Sequence, residues 1–211
     1  MKNRHFSIES NGRGIHCSLW EKQLSENLAV ILPGMSYPAE GPILFFLKTM
    51  YLNRGWDILS VEYRYNENEA FMALEEKEQE DYIDRDGEAL LSCLEDFREY
   101  SRFCFIGKSL GTLMMRKIPA DFRQNSSFIW LTPILSFRGI MTAMTEENRT
   151  SSVIIGTHDP YYDEEHVRNL RRNPGCRVLV LDGAGHVLES GKDVLAMVEN
   201  HRIAMEFLLE E

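Results

Sequence analysis

Residues 103–112 read FCFIGKSLGT, a short apolar run that meets a glycine-rich turn and then a helical pattern. A continuous apolar run of this length is typical of a strand buried on both faces, as in a parallel sheet. The turn has the pattern Gly107-x-Ser109-x-Gly111, whose glycines remove side chains that would collide where a strand bends sharply into a helix. The pattern predicts a strained turn that points the Ser109 hydroxyl out at the carboxyl end of the sheet, with a helix N-terminus behind it.

The same turn partly matches a phosphate-binding loop of the form GxxxxGK[ST], through Gly107-Lys108-Ser109. That motif requires a glycine five residues before Gly107, where Arg102 stands. It also requires a flexible loop, because backbone N–H groups in a strand of bulky residues cannot curl around a phosphate. The sequence therefore favours the strand-to-helix turn over a nucleotide site.

Apolar runs and helical patterns alternate along the rest of the chain. The apolar runs, each predicted to be a strand, are residues 28–32, 56–61, 103–106, 128–131, 153–155 and 178–181. The helical patterns are residues 38–53, 81–100, 110–118, 140–144, 164–171 and 194–209. Ahead of them, residues 5–10 and 14–21 alternate in polarity around Asn11-Gly12-Arg13, which is typical of an antiparallel hairpin. The glutamate-rich residues 66–80 are predicted to form an exposed connection.

This order of elements predicts the α/β class. Right-handed crossovers place successive strands in one mostly parallel sheet, with an N-terminal antiparallel hairpin and helices on both faces. The chain has 211 residues, of which 44% are hydrophobic. That length and composition suit a single domain over residues 1–211, large enough to bury its own core.

Charge and apolar content exclude several kinds of partner. The chain has 23 basic and 33 acidic residues and a net charge of −10, which repels phosphate backbones, so we expect no nucleic-acid partner. No apolar segment follows the basic N-terminus, and the most apolar stretch, residues 43–52, is interrupted by Lys48. We therefore expect no signal peptide, no membrane insertion and a cytoplasmic protein.

The cysteines Cys17, Cys93, Cys104 and Cys176 lie far apart and form no CxxC pair. In a chain of this length such cysteines behave as small buried hydrophobic residues. The pattern indicates a reducing compartment and neither a disulfide framework nor a zinc site.

Two further polar residues follow predicted strands and are candidates to act with Ser109. A serine hydroxyl is a poor nucleophile until a base takes its proton, and His186, after the last predicted strand, is the candidate base. Asp159, after the preceding strand, is the candidate carboxylate that orients the histidine. Because parallel strands end at one edge of a sheet, the three side chains can converge there. The sequence leaves two alternatives: Asp159 caps the turn at Pro160, or Asp163 is the acid.

The segments GKSLG (107–111), GTHD (156–159) and GAGH (183–186), in that order, resemble the α/β-hydrolase superfamily. The resemblance covers nearly the whole chain and implies an α/β-hydrolase fold with a catalytic triad. Within the superfamily the chain looks like the small, lidless serine esterases related to dienelactone hydrolases. Many of those have cysteine where this chain has Ser109.

The resemblance also implies an oxyanion hole made of backbone N–H groups. One donor would be Leu110, the residue after the nucleophile. The other would come from the loop after the strand at 28–32, at Met35 by position or at Ser36 as second choice. Family members often have His-Gly where this chain has Pro33-Gly34.

His158, Asp159, Asp163 and His166 are close together along the chain. Their spacing matches no helix-borne metal-binding pair, so we expect neither a metal nor a cofactor.

Two basic residues, Arg64 and Lys108, stand at the carboxyl ends of predicted strands. Residues so placed can attract an anionic group, but charges at such positions are more often solvated or paired nearby, and we favour that interpretation for both. Residues 132–152, between two predicted strands, leave room for one helix and not for a lid. The expected site is therefore open.

The sequence predicts a serine hydrolase that cleaves a small carboxylic ester or thioester, with a small-molecule acyl substrate as its partner. One alternative is an acyltransferase or perhydrolase with the same triad, and another is a ligand-binding homologue without catalysis. The pattern leaves open the acyl chain length, the leaving group and the oligomeric state.

Overall fold

The computed structural model describes residues 2–22, 25–97, 100–119, 122, 126–137, 139–146 and 150–210. Its strands are β1 (Lys2–Ser10), β2 (Arg13–Glu21), β3 (Asn27–Leu32), β4 (Asp57–Glu62), β5 (Arg102–Lys108), β6 (Ser126–Leu131), β7 (Thr150–Gly156) and β8 (Cys176–Leu181). Its α-helices are α1 (Pro42–Asn53), α2 (Glu69–Met72), α3 (Glu76–Glu95), α4 (Gly111–Met115), α5 (Ile140–Thr145), α6 (Glu164–Arg171) and α7 (Val194–Leu209). A 3₁₀ turn covers Tyr65–Glu67.

The described strands form one sheet in the order β1-β2-β4-β3-β5-β6-β7-β8. The β1–β2 and β2–β4 pairs are antiparallel, and the other neighbours are parallel. The predicted mostly parallel sheet with an N-terminal hairpin is therefore confirmed. The strand order reverses around β3, which has β4 on one side and β5 on the other. Such a reversal opens a crevice at the carboxyl ends of the strands.

Both faces of the sheet are covered by helices, as predicted. Along β3, Leu28, Val30 and Leu32 enter the core on one face, and Ala29 and Ile31 enter the core on the other. This alternation follows from the two-residue period of a strand. Helices α2 to α6 supply apolar side chains to the first core, and α1 and α7 supply them to the second.

Stacked aromatic rings fill the first core beneath β5 and β6. The rings of Phe103, Phe105, Phe128 and Trp130 follow one another with centroids 5.4–6.1 Å apart. All four side chains are buried. Aromatic pairs at this separation attract each other in addition to the stabilisation from burying their surface area. The stacked rings therefore stabilise β5 and β6 next to the strand ends that lead to Ser109 and Thr132.

The prediction for residues 66–80 is wrong in part. This segment contains α2, and α3 begins at Glu76 instead of residue 81. Phe71 is fully buried, and its ring stacks on Tyr65 at 4.4 Å. A single aromatic residue among glutamates has no periodic pattern, so only its tertiary contacts reveal this helix. Helix α3 ends at Glu95, and residues 98–99 of the predicted helix lie outside the described residues.

A buried carboxylate joins the hairpin turn to α3. Asp86 is fully buried and accepts hydrogen bonds from Asn11 Nδ2 at 2.6 Å, Arg13 Nη2 at 2.9 Å and Tyr65 OH at 2.7 Å. A buried charge is costly unless it is paired and hydrogen-bonded, and here every partner is present. The carboxylate therefore fixes the hairpin, the 3₁₀ turn and α3 relative to one another.

The cysteines behave mostly as the small apolar residues predicted from the sequence. Cys17, Cys104 and Cys176 are buried, and Cys93 is partly buried. Burial raises the pKa of Cys17 to about 12 and that of Cys176 to about 11, so both remain protonated at neutral pH. Among the described residues, no helix combines the length and the apolar character that crossing a bilayer requires.

Replacing Asp86 with alanine should lower the free energy of unfolding by about 2–4 kcal/mol, because Arg13 and Tyr65 lose a buried acceptor. Arg13 keeps 23% of its side chain exposed, which limits the loss. Glu88→Ala on the same helix removes a carboxylate that is 63% exposed and should change the free energy by less than about 0.5 kcal/mol. Urea unfolding of the two variants measures the difference, and equal effects would contradict the assigned role.

Candidate active site

Ser109 stands directly after β5 in the left-handed backbone region, with φ of 51°. Its N–H donates to the Leu131 carbonyl of β6 at 2.9 Å, and its own carbonyl accepts from the Thr112 N–H at 2.9 Å. A non-glycine residue in this region is strained and persists only where its surroundings hold it. The strained strand-to-helix turn predicted from the sequence is present.

The two glycines of the turn permit close backbone contacts. A Cβ atom on Gly111 would lie 2.0 Å from the Leu32 carbonyl oxygen at the end of β3. A Cβ atom on Gly107 would lie 2.2 Å from Met115 Sδ and 2.9 Å from the Gly111 carbonyl oxygen. Any side chain at Gly111 would push the start of α4 away from β3, and with it the turn that carries Ser109.

The structure brings Ser109, His186 and Asp159 together. His186 Nε2 lies 2.7 Å from Ser109 Oγ, and His186 Nδ1 lies 2.8 Å from Asp159 Oδ2. A carboxylate only accepts hydrogen bonds, so Nδ1 carries the ring proton and the Nε2 lone pair faces the serine hydroxyl. The Asp159 side chain is fully buried, whereas 27% of the His186 side chain is exposed to solvent. The arrangement suits transfer of a proton from the serine to the imidazole.

Both oxygens of Asp159 have donors. Oδ1 accepts the Tyr161 N–H at 2.9 Å, while Oδ2 faces the imidazole. Asp163, the alternative acid, accepts the His166 N–H at 2.7 Å as the N-cap of α6. Within the described residues, no group of three or more His, Cys, Asp or Glu side chains is arranged to hold a metal ion.

The loops that carry the acid and the base touch each other directly. A Cβ atom on Gly156 would lie 2.0 Å from the Ala184 carbonyl oxygen, so the two backbones are in contact. The same carbonyl accepts the His158 N–H at 2.9 Å. The Tyr161 ring lies edge-on to the His186 imidazole at 5.4 Å. These contacts fix the separation between Asp159 and His186.

The loop after β3, residues 33–41 and hereafter the oxyanion loop, passes beside the serine. A Cβ atom on Gly34 would lie 3.4 Å from Ser109 Cβ. The Gly34 N–H donates to the Tyr37 carbonyl at 3.1 Å, which closes the loop on itself. Tyr63 OH donates to the Pro33 carbonyl from β4's side of the crevice. The loop is therefore held at both ends of its first turn.

The amides proposed for the oxyanion hole are available. Within the part of the chain that the structure describes, the N–H groups of Met35, Ser36 and Leu110 donate to no protein acceptor. An N–H group without an internal partner can donate to a ligand oxygen.

A cavity of about 420 Å³ opens next to the oxyanion loop. It is lined by residues 33–40 together with Glu62, Tyr63, Arg64, Asn66 and Glu67. Arg64 has φ of 42° and lies 3.1 Å from Glu62 and 3.6 Å from Glu67. Its exposed, paired side chain matches the interpretation made from the sequence.

Lys108, the residue before Ser109, does not match that interpretation. Its side chain is buried, with 1% exposure, and Nζ donates to Thr132 Oγ1 at 2.9 Å and to the His186 carbonyl at 2.8 Å. Burial lowers the pKa of this lysine to about 8, a shift that Asp159 and Glu189 oppose. Lysine is seldom fully buried, so the sequence led to the wrong prediction of a solvated or ion-paired side chain. The one available signal is its position as the last residue of a strand buried on both faces.

No model of a known protein family matches this chain, and no curated protein does either. Solved structures are similar over nearly its whole length. The Pyrococcus furiosus esterase Pf2001 is 16% identical, with a TM-score of 0.68 over 99% of this chain and 92% of that one. An α/β serine hydrolase homologue from Coxiella burnetii is 15% identical, with a TM-score of 0.70 over 99% and 98%. XC6422 from Xanthomonas campestris, an α/β serine hydrolase without a lid, is 10% identical, with a TM-score of 0.69 over 99% and 94%.

These likenesses show that the chain has the α/β-hydrolase fold. The resemblance inferred from the segments at 107–111, 156–159 and 183–186 is thus confirmed for the architecture. Sequence identities of this size leave the chemistry to be argued from the site itself.

Replacing Gly111 with alanine should lower the free energy of unfolding by about 2–3 kcal/mol, because the new Cβ displaces the backbone at Leu32. The matched control is Gly87→Ala in α3, where the nearest atoms to a new Cβ are 3.4 Å away. That change should stabilise the protein by about 0.5–1 kcal/mol through helix propensity. Thermal or urea unfolding tests both, and a neutral Gly111→Ala would show that the close contact is not required.

Proposed function

We propose that the protein is a serine hydrolase that cleaves small carboxylic esters or thioesters through an acyl-enzyme on Ser109. The observation that supports this function best is the unbroken hydrogen-bonded chain from Ser109 through His186 to Asp159. It stands at the carboxyl edge of the sheet, beside a loop with free N–H groups and a cavity of small-molecule size.

In the first step Ser109 Oγ attacks the substrate carbonyl carbon, and its proton passes to His186 Nε2. Asp159 stabilises the imidazolium that forms, without taking the proton itself. The oxyanion accepts hydrogen bonds from the N–H groups of Leu110 and Met35. Losing one such donor typically costs about 3–4 kcal/mol of transition-state stabilisation.

The tetrahedral intermediate formed by this attack then collapses. The bond from the carbonyl carbon to the leaving oxygen or sulfur breaks, and His186 gives its proton to that atom, releasing an alcohol or thiol. Water then attacks the acyl-enzyme with His186 as base, and the carboxylic acid leaves while Ser109 regains its proton.

Two features support a small, loosely enclosed substrate. Between β6 and β7 the described chain contributes α5 and no second domain. The second is the cavity of about 420 Å³ beside the oxyanion loop, whose lining includes Gly34, next to Ser109, but none of the three triad residues. We propose that it receives one side of the substrate, and a volume at the small end of the range for ligand sites favours a short group there over a long lipid chain.

Replacing Ser109 with alanine should abolish labelling by a fluorophosphonate probe and lower kcat for p-nitrophenyl acetate by at least about 10³-fold. The reason is that the Ser109 hydroxyl is the group 2.7 Å from His186 Nε2, and alanine leaves that position without a nucleophile. Ser92→Ala, an exposed serine on α3, is the control and should behave like the wild type. Labelling that survives in Ser109→Ala would refute the assignment of the nucleophile.

Replacing Asp159 with asparagine should lower kcat by about 10⁴-fold while the protein stays folded. The amide donates to Nδ1, which moves the ring proton to Nε2 and removes the acceptor for the serine hydroxyl. Asp163→Asn keeps an N-cap residue on α6 and should retain activity within about twofold. Ester hydrolysis by the two variants separates the two candidate acids, and the reverse pattern of losses would make Asp163 the acid.

A further inference from the structure

Lys108 lies under the site and contacts three separate segments of the chain. Its Nζ donates to Thr132 Oγ1 at the end of β6 and to the main-chain carbonyl of His186. It also lies 4.6 Å from the centroid of the Tyr37 ring in the oxyanion loop. One buried ammonium group therefore contacts the end of β6, the loop that carries His186 and the oxyanion loop, all of which lie near Ser109.

Thr132 is strained in the same way as Ser109. It has φ of 43°, which is unusual for a β-branched residue. Its N–H donates to the Ile154 carbonyl at 2.7 Å, and its hydroxyl accepts from Lys108. Strain of this kind persists only where neighbours over-determine the conformation, and it is common at functional sites.

The loop between β8 and α7, residues 182–193 and hereafter the base loop, places the imidazole. Within it Glu189 Oε2 accepts the Val187 N–H at 2.8 Å, and the Gly185 N–H donates to the Glu189 carbonyl at 2.8 Å. These bonds tie the base loop to itself. Among the described residues, Lys108 makes the side-chain bond that ties the His186 carbonyl to the strand carrying the nucleophile.

We propose that Lys108 is a positioning residue whose ammonium group holds the base loop, Thr132 and the oxyanion loop in the arrangement that aligns His186 with Ser109. The inference rests on the serine hydrolase function proposed above. Lys108 touches neither the reacting serine oxygen nor the substrate carbonyl in this mechanism, so it acts through the groups that do.

The charge of Lys108 makes this positioning depend on pH. The titratable groups that face it are Asp159 from the β7–α6 loop, Glu189 and His186 from the base loop, and Tyr37 from the oxyanion loop. Burial lowers the pKa of Lys108 to about 8, whereas burial raises the pKa of Tyr37, which stays neutral. As the pH rises through about 8, the ammonium loses its proton, and its charge-assisted bonds and its attraction to the Tyr37 ring weaken. The kcat of the enzyme should therefore decline as the pH rises above about 8.

The first test measures kcat and KM between pH 6 and 10 for the wild type, Lys108→Met and Lys108→Arg. At pH 7 we expect Lys108→Met to lose about 10–100-fold in kcat with KM changed by less than about threefold, because the base is misplaced and not the substrate. The decline in kcat near pH 8 should be present in the wild type and absent in Lys108→Met. In Lys108→Arg the guanidinium keeps its charge, so the decline in kcat should be absent below pH 10.

Lys77→Met, the same change at an exposed position of α3, is the control and should match the wild type throughout. A Lys108→Met enzyme with kcat within about twofold of the wild type, and with the same alkaline decline, would overturn the proposal.

A second measurement needs neither activity nor a variant. Amide hydrogen exchange of the wild type compares Gly185 and Leu188, whose N–H groups bond within the base loop, with Val30 in β3. Between pH 7 and 9.5, after correction for intrinsic rates, the base-loop amides should lose about tenfold in protection while Val30 does not. Unchanged protection would overturn the role of Lys108. Absence of fluorophosphonate labelling of the wild type would instead refute the serine hydrolase function, and the exchange result would still decide the role of Lys108.

Discussion

Two backbone-to-backbone contacts, each too close for a side chain, determine the geometry of the site. At one of them Gly111 lies against the Leu32 carbonyl, and at the other Gly156 lies against the Ala184 carbonyl. The first fixes the nucleophile beside the oxyanion loop, and the second fixes the acid beside the base. Hydrogen-bonded parallel strands hold these two pairs at a set separation. Across that separation His186 Nε2 lies 2.7 Å from Ser109 Oγ.

The hairpin side of the molecule is connected to the same site. Asp86 binds the hydroxyl of Tyr65, whose ring stacks on Tyr63 at 4.6 Å. Tyr63 in turn donates to the Pro33 carbonyl at the start of the oxyanion loop. The buried carboxylate and the aromatic stack thus support the wall of the cavity as well as the fold.

Elements that depend on local pattern were predictable from the sequence, and those that depend on tertiary contacts were not. The turn at 107–111, the hairpin and the convergence of Ser109, Asp159 and His186 follow from periodicity, glycine positions and the common edge of parallel strands. Helix α2 depends on the burial of Phe71 against rings that are distant in sequence, and Lys108 depends on partners 24 and 78 residues away. Local sequence pattern does not identify partners at such distances. For Lys108 the general exposure of lysine also outweighs the one signal of its burial, its place at the end of a strand buried on both faces.

The backbone at Ser109 also limits which residue the turn accepts there. With φ of 51°, a second branch on Cβ would crowd the neighbouring main chain, so threonine carries a steric penalty that serine does not. Cysteine has the same unbranched shape as serine and fits the same conformation. The fold therefore accepts either serine or cysteine at this position and disfavours threonine. This preference comes from the shape of the side chain and is independent of its reactivity.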